Sequence, residues 1–486
     1  MLGSIPIILT AVLVLFFTLV SSRYTTKPIL IAVLLLSSLA AYFMDTYDVI
    51  IDTNMIRNIL ETNVNESMDL MSLRLAGYFL LLGVIPSVIV YRLNIDYLPL
   101  KARLFRNLKT IGVALAVIFV LIFAFSRFYT SFFREHKPLR LYTNPSFYIY
   151  SVYKYVNRAL AHEEKGFHKI GRDAAIPATD TGRELIILVV GEAARADRFS
   201  LNGYGRETNP LLKKEAIINF PDFTSCGTDT AVSVPCMFSS FGRAQYDGKK
   251  ARHTENLLDV LGRAGVNILW RDNNSDSKGV ALRAQYEDFK SPDKNPLCEG
   301  ECRDEGMLAG LQEYIDSHRK GDILVVLHQM GNHGPAYYKR YPDSFEKFTP
   351  ACKSNQLEKC TREEISNAYD NAILYTDYFL SKVIGLLKKN SGRFETAMLY
   401  VSDHGESLGE NGLYLHGFPY YLAPETQKHI PAIMWFGNNF DVDKKRLASR
   451  SAQPFSHDNL FHTMLGFMEV TSTVYRPEMD ILQGLH

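Results

Sequence analysis

With 486 residues the chain is long enough for more than one domain. Its 53 Lys and Arg against 52 Asp and Glu leave a formal net charge of +1, which gives no footing for a polyanionic partner such as nucleic acid. The informative bias is local: apolar runs at 5–20, 28–44, 76–91 and 110–125 contain no Asp, Glu, Lys or Arg. Each approaches the ~20 residues needed to cross a hydrocarbon core, so four transmembrane helices are predicted within 1–126. A cleavable signal peptide is disfavoured for the first run, because no small-residue cleavage site follows it and three more runs do.

Loop charges set the orientation. The connection after the third run carries Arg92, Lys101, Arg103, Arg106 and Lys109 against Asp96, and the first connection carries Arg23 and Lys27. Between the second and third runs lie Asp45, Asp48, Asp52, Glu61, Glu66 and Asp69 against Arg57 and Arg74. The positive-inside rule makes the basic connections cytoplasmic and sends everything after the fourth span across the membrane. A connector is expected over 127–182. Its tyrosine-dense stretch Pro145 to Val156 suits a membrane interface or a packing helix, and the polar segment Asp173 to Arg183 reads as a hinge.

From 183 to 486 short apolar strands at 185–190, 266–270, 323–328, 397–402 and 432–436 alternate with helical patterns at 254–264, 304–319 and 362–387. That alternation predicts an α/β domain with a largely parallel central sheet, whose ligands gather at the carboxyl ends of the strands. All six cysteines, Cys226, Cys236, Cys298, Cys302, Cys352 and Cys360, lie beyond the last span, where an oxidising compartment allows disulfides. Sequence leaves their connectivity open, and the short separations favour 226 with 236, 298 with 302 and 352 with 360. No C-x-x-C pair supports a cysteine zinc site.

The strand at 185–190 runs into Gly191-Glu192, and the one at 397–402 runs into Asp403-His404-Gly405-Glu406. Between them, Cys226-Gly-Thr-Asp-Thr-Ala-Val-Ser-Val-Pro-Cys236 offers hydroxyls on a stapled turn. Asp-His-Gly alone is a common turn and a Thr/Ser-rich stretch is usually a solvated loop, but together they form an oxygen and nitrogen ligand set. Glu192, Thr230, Asp403 and His404 are expected to bind one zinc, with Thr230 as the activated nucleophile. His328, His333 and His416 stand in glycine-rich or strand-end settings, and Asn274 and Lys278 lie in a polar loop after the strand at Trp270, where an amide and a cation can meet phosphate oxygens.

These motifs, with Val190-Gly-Glu-Ala-Ala-Arg195, Trp270-Arg-Asp-Asn-Asn-Ser-Asp-Ser-Lys-Gly-Val280, His328-Gln-Met-Gly-Asn-His-Gly-Pro335, Tyr400-Val-Ser-Asp-His-Gly-Glu-Ser-Leu-Gly-Glu-Asn-Gly412 and Leu415-His-Gly417, give the chain its family likeness. In order and spacing it resembles the bacterial lipid A phosphoethanolamine transferases, including the mobile colistin-resistance type, within the alkaline phosphatase and sulfatase superfamily. The resemblance implies a multi-pass inner-membrane protein with an alkaline-phosphatase-like (sulfatase-like) periplasmic domain. It implies transfer of phosphoethanolamine from phosphatidylethanolamine to a lipid A phosphate through a phosphoethanolamine-threonine, by a monomer that needs one zinc or two. By the same resemblance His333 and His416 face the metal and phosphate, as ligands of a second zinc or as proton donors to the departing oxygen, Asn274 and Lys278 contact the transferred group, and Asn58 and Glu66 handle the lipid donor. His328 is either a further contact to that group or a buried, hydrogen-bonded structural histidine. The family usually has five spans, so an upstream helix is expected to be missing from this chain or from its start. The rival readings are a glycerol-phosphate transferase or other hydrolase of the same superfamily, and a catalytically silent membrane sensor. A sulfatase would need a modifiable Cys or Ser where Thr230 stands.

Overall fold

The computed structural model describes residues 2–485 except 62, 63, 127, 130, 131, 133–135 and 161–165. Two compact units form, Met1–Ile59 with Met71–His162, and Leu60–Leu70 with Glu163–His486.

The first unit is helical: α1 (Ser4–Val20), α2 (Thr26–Tyr47) and α3 (Thr53–Glu61), with α4 (Val64–Asp69) belonging to the second unit, then α5 (Leu73–Arg92), α6 (Leu100–Ala124) and α7 (Ser146–Leu160). Among the described residues three helices, α2, α5 and α6, are long and apolar enough to cross a membrane, and α1 is a shorter apolar helix of 17 residues. A Cβ on Gly83 of α5 would lie 2.6 Å from Ser38 Oγ, so glycine is what lets α5 approach α2. Lys101, Arg103, Arg106 and Lys109, expected in a loop, instead occupy the first turns of α6. Lys and Arg are good helix formers, and Pro99 supplies the start. Arg103 donates to Ser21 O and Lys27 Nζ to Tyr91 O at 2.7 Å, so the end of α1, the starts of α2 and α6 and the end of α5 share one basic pole. The tyrosine-rich stretch forms α7, which packs through Tyr148 OH, 3.2 Å from Ser37 Oγ of α2, and leaves Tyr150 and Tyr153 exposed.

The second unit is built on a seven-stranded sheet. Its strands are β1 (Glu184–Gly191), β2 (Ile217–Phe220), β3 (Asn267–Asp272), β4 (Gln285–Asp288), β5 (Ile323–His328), β6 (Glu395–Ser402) and β7 (Ala432–Phe436), in the order β2-β7-β6-β1-β5-β3-β4. Every pairing is parallel except those of β7 with β2 and β6. Strand alternation divides the core: Ile186, Leu188 and Val190 of β1 pack in one layer with α10 (His457–Phe467), and Leu185, Ile187 and Val189 in the other with α9 (Arg362–Asn390). Both faces are therefore covered, which is why β1, β5 and β6 read as continuous apolar runs over 185–190, 323–327 and 397–401. The boundary expected at 126 is not where the units divide. Asp69 of α4 is held by Lys339, by Arg340 Nη2 at 3.3 Å and by Asn355, all in the second unit, while 127–162 falls with the first. The cysteines pair as Cys226–Cys236, Cys298–Cys302 and Cys352–Cys360.

Candidate active site

Register brings the carboxyl ends of the central strands level: Val190 pairs with His328 on one side and Val401 on the other, and Gly191 with Ser402. Glu192 and Asp403 thus leave the sheet side by side. A Cβ on Gly405 would lie 2.1 Å from Thr426 O, so only glycine lets the loop after His404 fold back here. Ser402 Oγ accepts from Ala194 N (2.8 Å) and donates to His404 O (2.9 Å), tying the two strand ends together.

Thr230 enters from a third direction, as the first residue of α8 (Thr230–Met237). Asp229 caps that helix, accepting from Val232 N at 3.0 Å, and the Cys226–Cys236 bridge spans it. The helix's amino end adds partial positive charge at the hydroxyl. His457, an unforeseen participant, accepts from Cys226 N at Nδ1 (2.9 Å) and donates from Nε2 to Ser402 O (2.9 Å). It joins the loop before Thr230 to the sheet, and burial holds its imidazole down at about 3.

The four chemistry-bearing side chains converge. Thr230 Oγ1 donates to Glu192 Oε2 at 3.0 Å and lies 3.4 Å from His404 Nε2. His404 Nε2 is 3.2 Å from Glu192 Oε1 and 3.4 Å from Asp403 Oδ2. Asp403 Oδ1 accepts from Ala193 N and His404 N, which aims Oδ2 inward, where neither it nor Glu192 Oε1 receives a hydrogen bond. Two fully buried carboxylates, each with one oxygen that accepts no hydrogen bond, call for a nearby positive charge. The pKa shifts express this: burial opposes the charge on His404, but Asp403 and Glu192 push it up to about 10. Burial and the Glu192 charge push Asp403 up to about 7. Glu192 is held well below the usual carboxylate range, its burial outweighed by the imidazole charges. His404 Nδ1 donates to Gly405 O at 2.8 Å, the second bond that fixes a metal-ligating tautomer. Glu192, His404 and His416 also place ligand atoms within 4.8 Å of one another.

The ring centroid of His416 lies 4.3 Å from that of His404 and 5.5 Å from that of His333. His416 Nδ1 donates to Glu406 Oε2 (2.7 Å), and Tyr337 OH donates to Glu406 Oε1 (2.6 Å). Burial works against the imidazolium of His416, but Glu406 raises its pKa, whereas burial and the neighbouring cations press His333 down to about 3. Glu406 and Tyr337 are supports that sequence reasoning missed, although Glu406 stands two residues past His404.

Asn274 donates from Nδ2 to Glu192 Oε2 (2.8 Å) and to Gln329 O (2.7 Å). It supports the carboxylate directly, rather than projecting from a solvated loop. His328, expected either to touch the transferred group or to be structural, is fully buried with Nδ1 on Asp272 Oδ2 (2.9 Å), so its side chain braces the strand ends from within. Lys278 lines a groove with Pro235, Ser239 and Asn256, and among the described contacts it makes none to Thr230. Asn58 lies on α3 in the first unit, and the side chain of Glu66 lies outside the described residues.

Two family models cover most of the chain: one described as phosphoethanolamine transferase EptA/EptB matches residues 9–160, and one described as sulfatase matches 184–470. Phosphatidylethanolamine transferase Mcr-2 of Escherichia coli is 46% identical, the alignment covering 99% of this chain and 90% of that protein. Phosphoethanolamine transferase EptA of Salmonella typhimurium is 42% identical over 99% of this chain and 89% of its own. The integral membrane lipooligosaccharide phosphoethanolamine transferase A of Neisseria meningitidis superposes with a TM-score of 0.95 at 36% identity, covering 100% of this chain and 92% of that one. With both family models matched and relatives this similar along nearly its whole length, the chain belongs to the phosphoethanolamine transferase family with a sulfatase-type domain.

Proposed function

We propose that this protein transfers phosphoethanolamine from phosphatidylethanolamine to a lipid A phosphate through a covalent intermediate on Thr230, acting as a monomer at the periplasmic face of the bacterial inner membrane. The observation that carries this reading is the cluster in which Thr230 Oγ1 lies 3.0 Å from Glu192 and 3.4 Å from His404, and His404 in turn lies 3.2 Å from Glu192 and 3.4 Å from Asp403.

The donor set fits zinc: two carboxylates with inward oxygens that receive no hydrogen bond, an imidazole nitrogen freed by its tautomer, and a hydroxyl. Glu192, Asp403, His404 and Thr230 would hold it, and bound zinc makes a hydroxyl a stronger nucleophile and neutralises charge on phosphoryl oxygens. Were a second zinc bound, His333 and His416 would be its ligands in place of the proton-donor role given to His416 below.

Glu192 Oε2 holds the Thr230 proton and orients Oγ1 toward phosphorus. As the threonine O–P bond forms, the P–O bond to diacylglycerol breaks, and the departing oxygen takes a proton from His416, whose proton affinity Glu406 raises against burial. A phosphate oxygen of lipid A then attacks the same phosphorus, its proton returning to His416, and Thr230 departs and recovers its own proton from Glu192. Added ammonium on lipid A lowers its negative charge and weakens the binding of cationic peptides such as colistin.

Four spans, α1, α2, α5 and α6, anchor the chain. The basic pole faces the cytoplasm, and three disulfides suit an oxidising periplasm. Mass spectrometry of lipid A from cells making the protein tests the reading: lipid A should gain phosphoethanolamine with wild type and not with Thr230→Ala. Unmodified lipid A in cells making folded wild type would overturn it.

A further inference from the structure

One short turn stands behind both His333 and His416. Residues Tyr337–Lys339 make a single helical turn, closed by Arg340 N donating to Tyr337 O at 3.0 Å. At its start, Tyr337 OH donates to Glu406 Oε1 (2.6 Å), and the other oxygen of that carboxylate holds His416 Nδ1 (2.7 Å). At its end, Arg340 folds back and its Nε donates to the backbone O of His333 at 2.6 Å. The fit is close: a Cβ on Gly334 would lie 2.6 Å from Glu406 Oε1 and 2.8 Å from Tyr337 OH. The same turn also grips a distant part of the chain. Leu60–Leu70 lies in sequence between helices of the first unit but belongs to the second. Its buried Asp69 accepts from Lys339 Nζ at Oδ1 and from Arg340 Nη2 at Oδ2 (3.3 Å). Arg340, buried as well, sends Nη1 to Glu301 Oε2 in the disulfide-closed turn Cys298–Cys302. A planar guanidinium tied to two carboxylates and a carbonyl is fixed in one orientation.

We propose that Arg340 is a positioning residue for His333 and His416, and that Asp69 makes the Leu60–Leu70 segment part of the support of the site. Asp69 and Glu301 fix the guanidinium, the guanidinium fixes the backbone of His333, and the turn that Arg340 closes fixes His416 through Tyr337 and Glu406. The expected effect on turnover rests on the transfer reading above, in which His416 serves the departing oxygen. A misplacement of about 1 Å at a reacting centre can cost on the order of a hundredfold in rate. Asp69→Asn keeps the shape of the side chain and removes its charge, while Glu301 and His333 O still hold Arg340, so this variant should fold with a less firmly placed turn.

Full-length, zinc-replete protein in detergent is assayed for diacylglycerol release from phosphatidylethanolamine and followed by hydrogen–deuterium exchange. Asp69→Asn should lower kcat about tenfold, with KM within about twofold of wild type and bound zinc unchanged. Asp69→Glu, which restores the charge, should recover kcat to within about threefold of wild type. Arg340→Lys, which keeps a charge but loses the fork, should lower kcat about a hundredfold, and adding Asp69→Asn to it should cost nothing more, because both act through one guanidinium. In Asp69→Asn, exchange should quicken in peptides spanning 329–341 and 405–417 and stay as in wild type over 184–192. If Arg340→Lys folds poorly, Asp69→Asn and Asp69→Glu carry the test. A lower melting temperature of Asp69→Asn with wild-type kcat, multiplying effects in the double variant, or unchanged exchange over 329–341 would overturn the proposal. Exchange needs no substrate, so a wild type that releases no diacylglycerol would refute the transfer reading, and the exchange result would still decide the role of Arg340.

Discussion

His457 permits a prediction whose size follows from its surroundings. It is fully buried, accepts from Cys226 N, donates to Ser402 O, and is held down at about 3, against ~6.5 in an unfolded chain. Between those values the unfolded state binds a proton that the folded state refuses. The stabilisation is therefore complete above about pH 6.5 and is lost progressively as pH falls toward 3. At ~1.4 kcal/mol per pH unit, moving to about pH 5 costs about 2 kcal/mol, or roughly 4 °C in Tm for a domain of this size. His457→Gln should be less stable than wild type near pH 7.5 by about 2 kcal/mol, because a buried amide or carbonyl loses its partner. Its melting temperature should then fall about 4 °C less than that of wild type on going to pH 5. Glu192, Asp403 and His404 are present in both proteins, so their titration cancels in the comparison. Thermal unfolding of the full chains followed by intrinsic fluorescence provides the readout. Parallel pH curves for the two proteins would refute the assignment of a neutral, doubly bonded His457.

Other substitutions probe the remaining parts. Thr230→Ser should retain part of the transferase activity, since it keeps an oxygen where Thr230 Oγ1 meets Glu192, and Thr230→Ala should retain none; equal activity of the two in a lipid A transfer assay would contradict this. Asp403→Asn should lower bound zinc, measured by elemental analysis, by at least tenfold, because it removes the inward carboxylate charge. Glu406→Gln should lower kcat more than KM and shift the basic limb of the pH–rate profile downward, because it removes the charge that raises His416; an unchanged profile would deny Glu406 that role. A thiol reagent should label none of the six cysteines before reductant is added, and ready labelling would contradict a periplasmic location. Deletion of residues 1–127 should leave metal binding intact and abolish lipid A modification in cells, because the spans hold enzyme and lipids on one surface.

The parts of this architecture legible in the sequence are those whose signal is local. Strands β1, β5 and β6 are buried on both faces, so they carry unbroken apolar runs at 185–190, 323–327 and 397–401, and Glu192 and Asp403-His404 announce themselves by following such runs. The outer strands are not legible. β2 is four residues long, and β4, Gln-Tyr-Glu-Asp, is a largely exposed edge with no apolar pattern. The helical state of Lys101 to Lys109 was hidden because basic residues read as loop beside an apolar run, although their long stems suit a helix. Thr230 was visible as a hydroxyl in a stapled segment, but its place at the start of a helix was not, since Pro235 lies inside that helix. His457, Tyr337 and Asp272 act across separations of 55 or more residues, and no spacing rule connects them to their partners.

The central claim is that Thr230 carries the phosphoethanolamine group between donor and acceptor. Its most direct test is peptide mass spectrometry of zinc-replete enzyme incubated with phosphatidylethanolamine and no lipid A, then quenched. The account predicts one phosphoethanolamine group on Thr230, discharged when lipid A is added and absent from Thr230→Ala. The group on any other residue, or transfer to lipid A by Thr230→Ala at the wild-type rate, would contradict it.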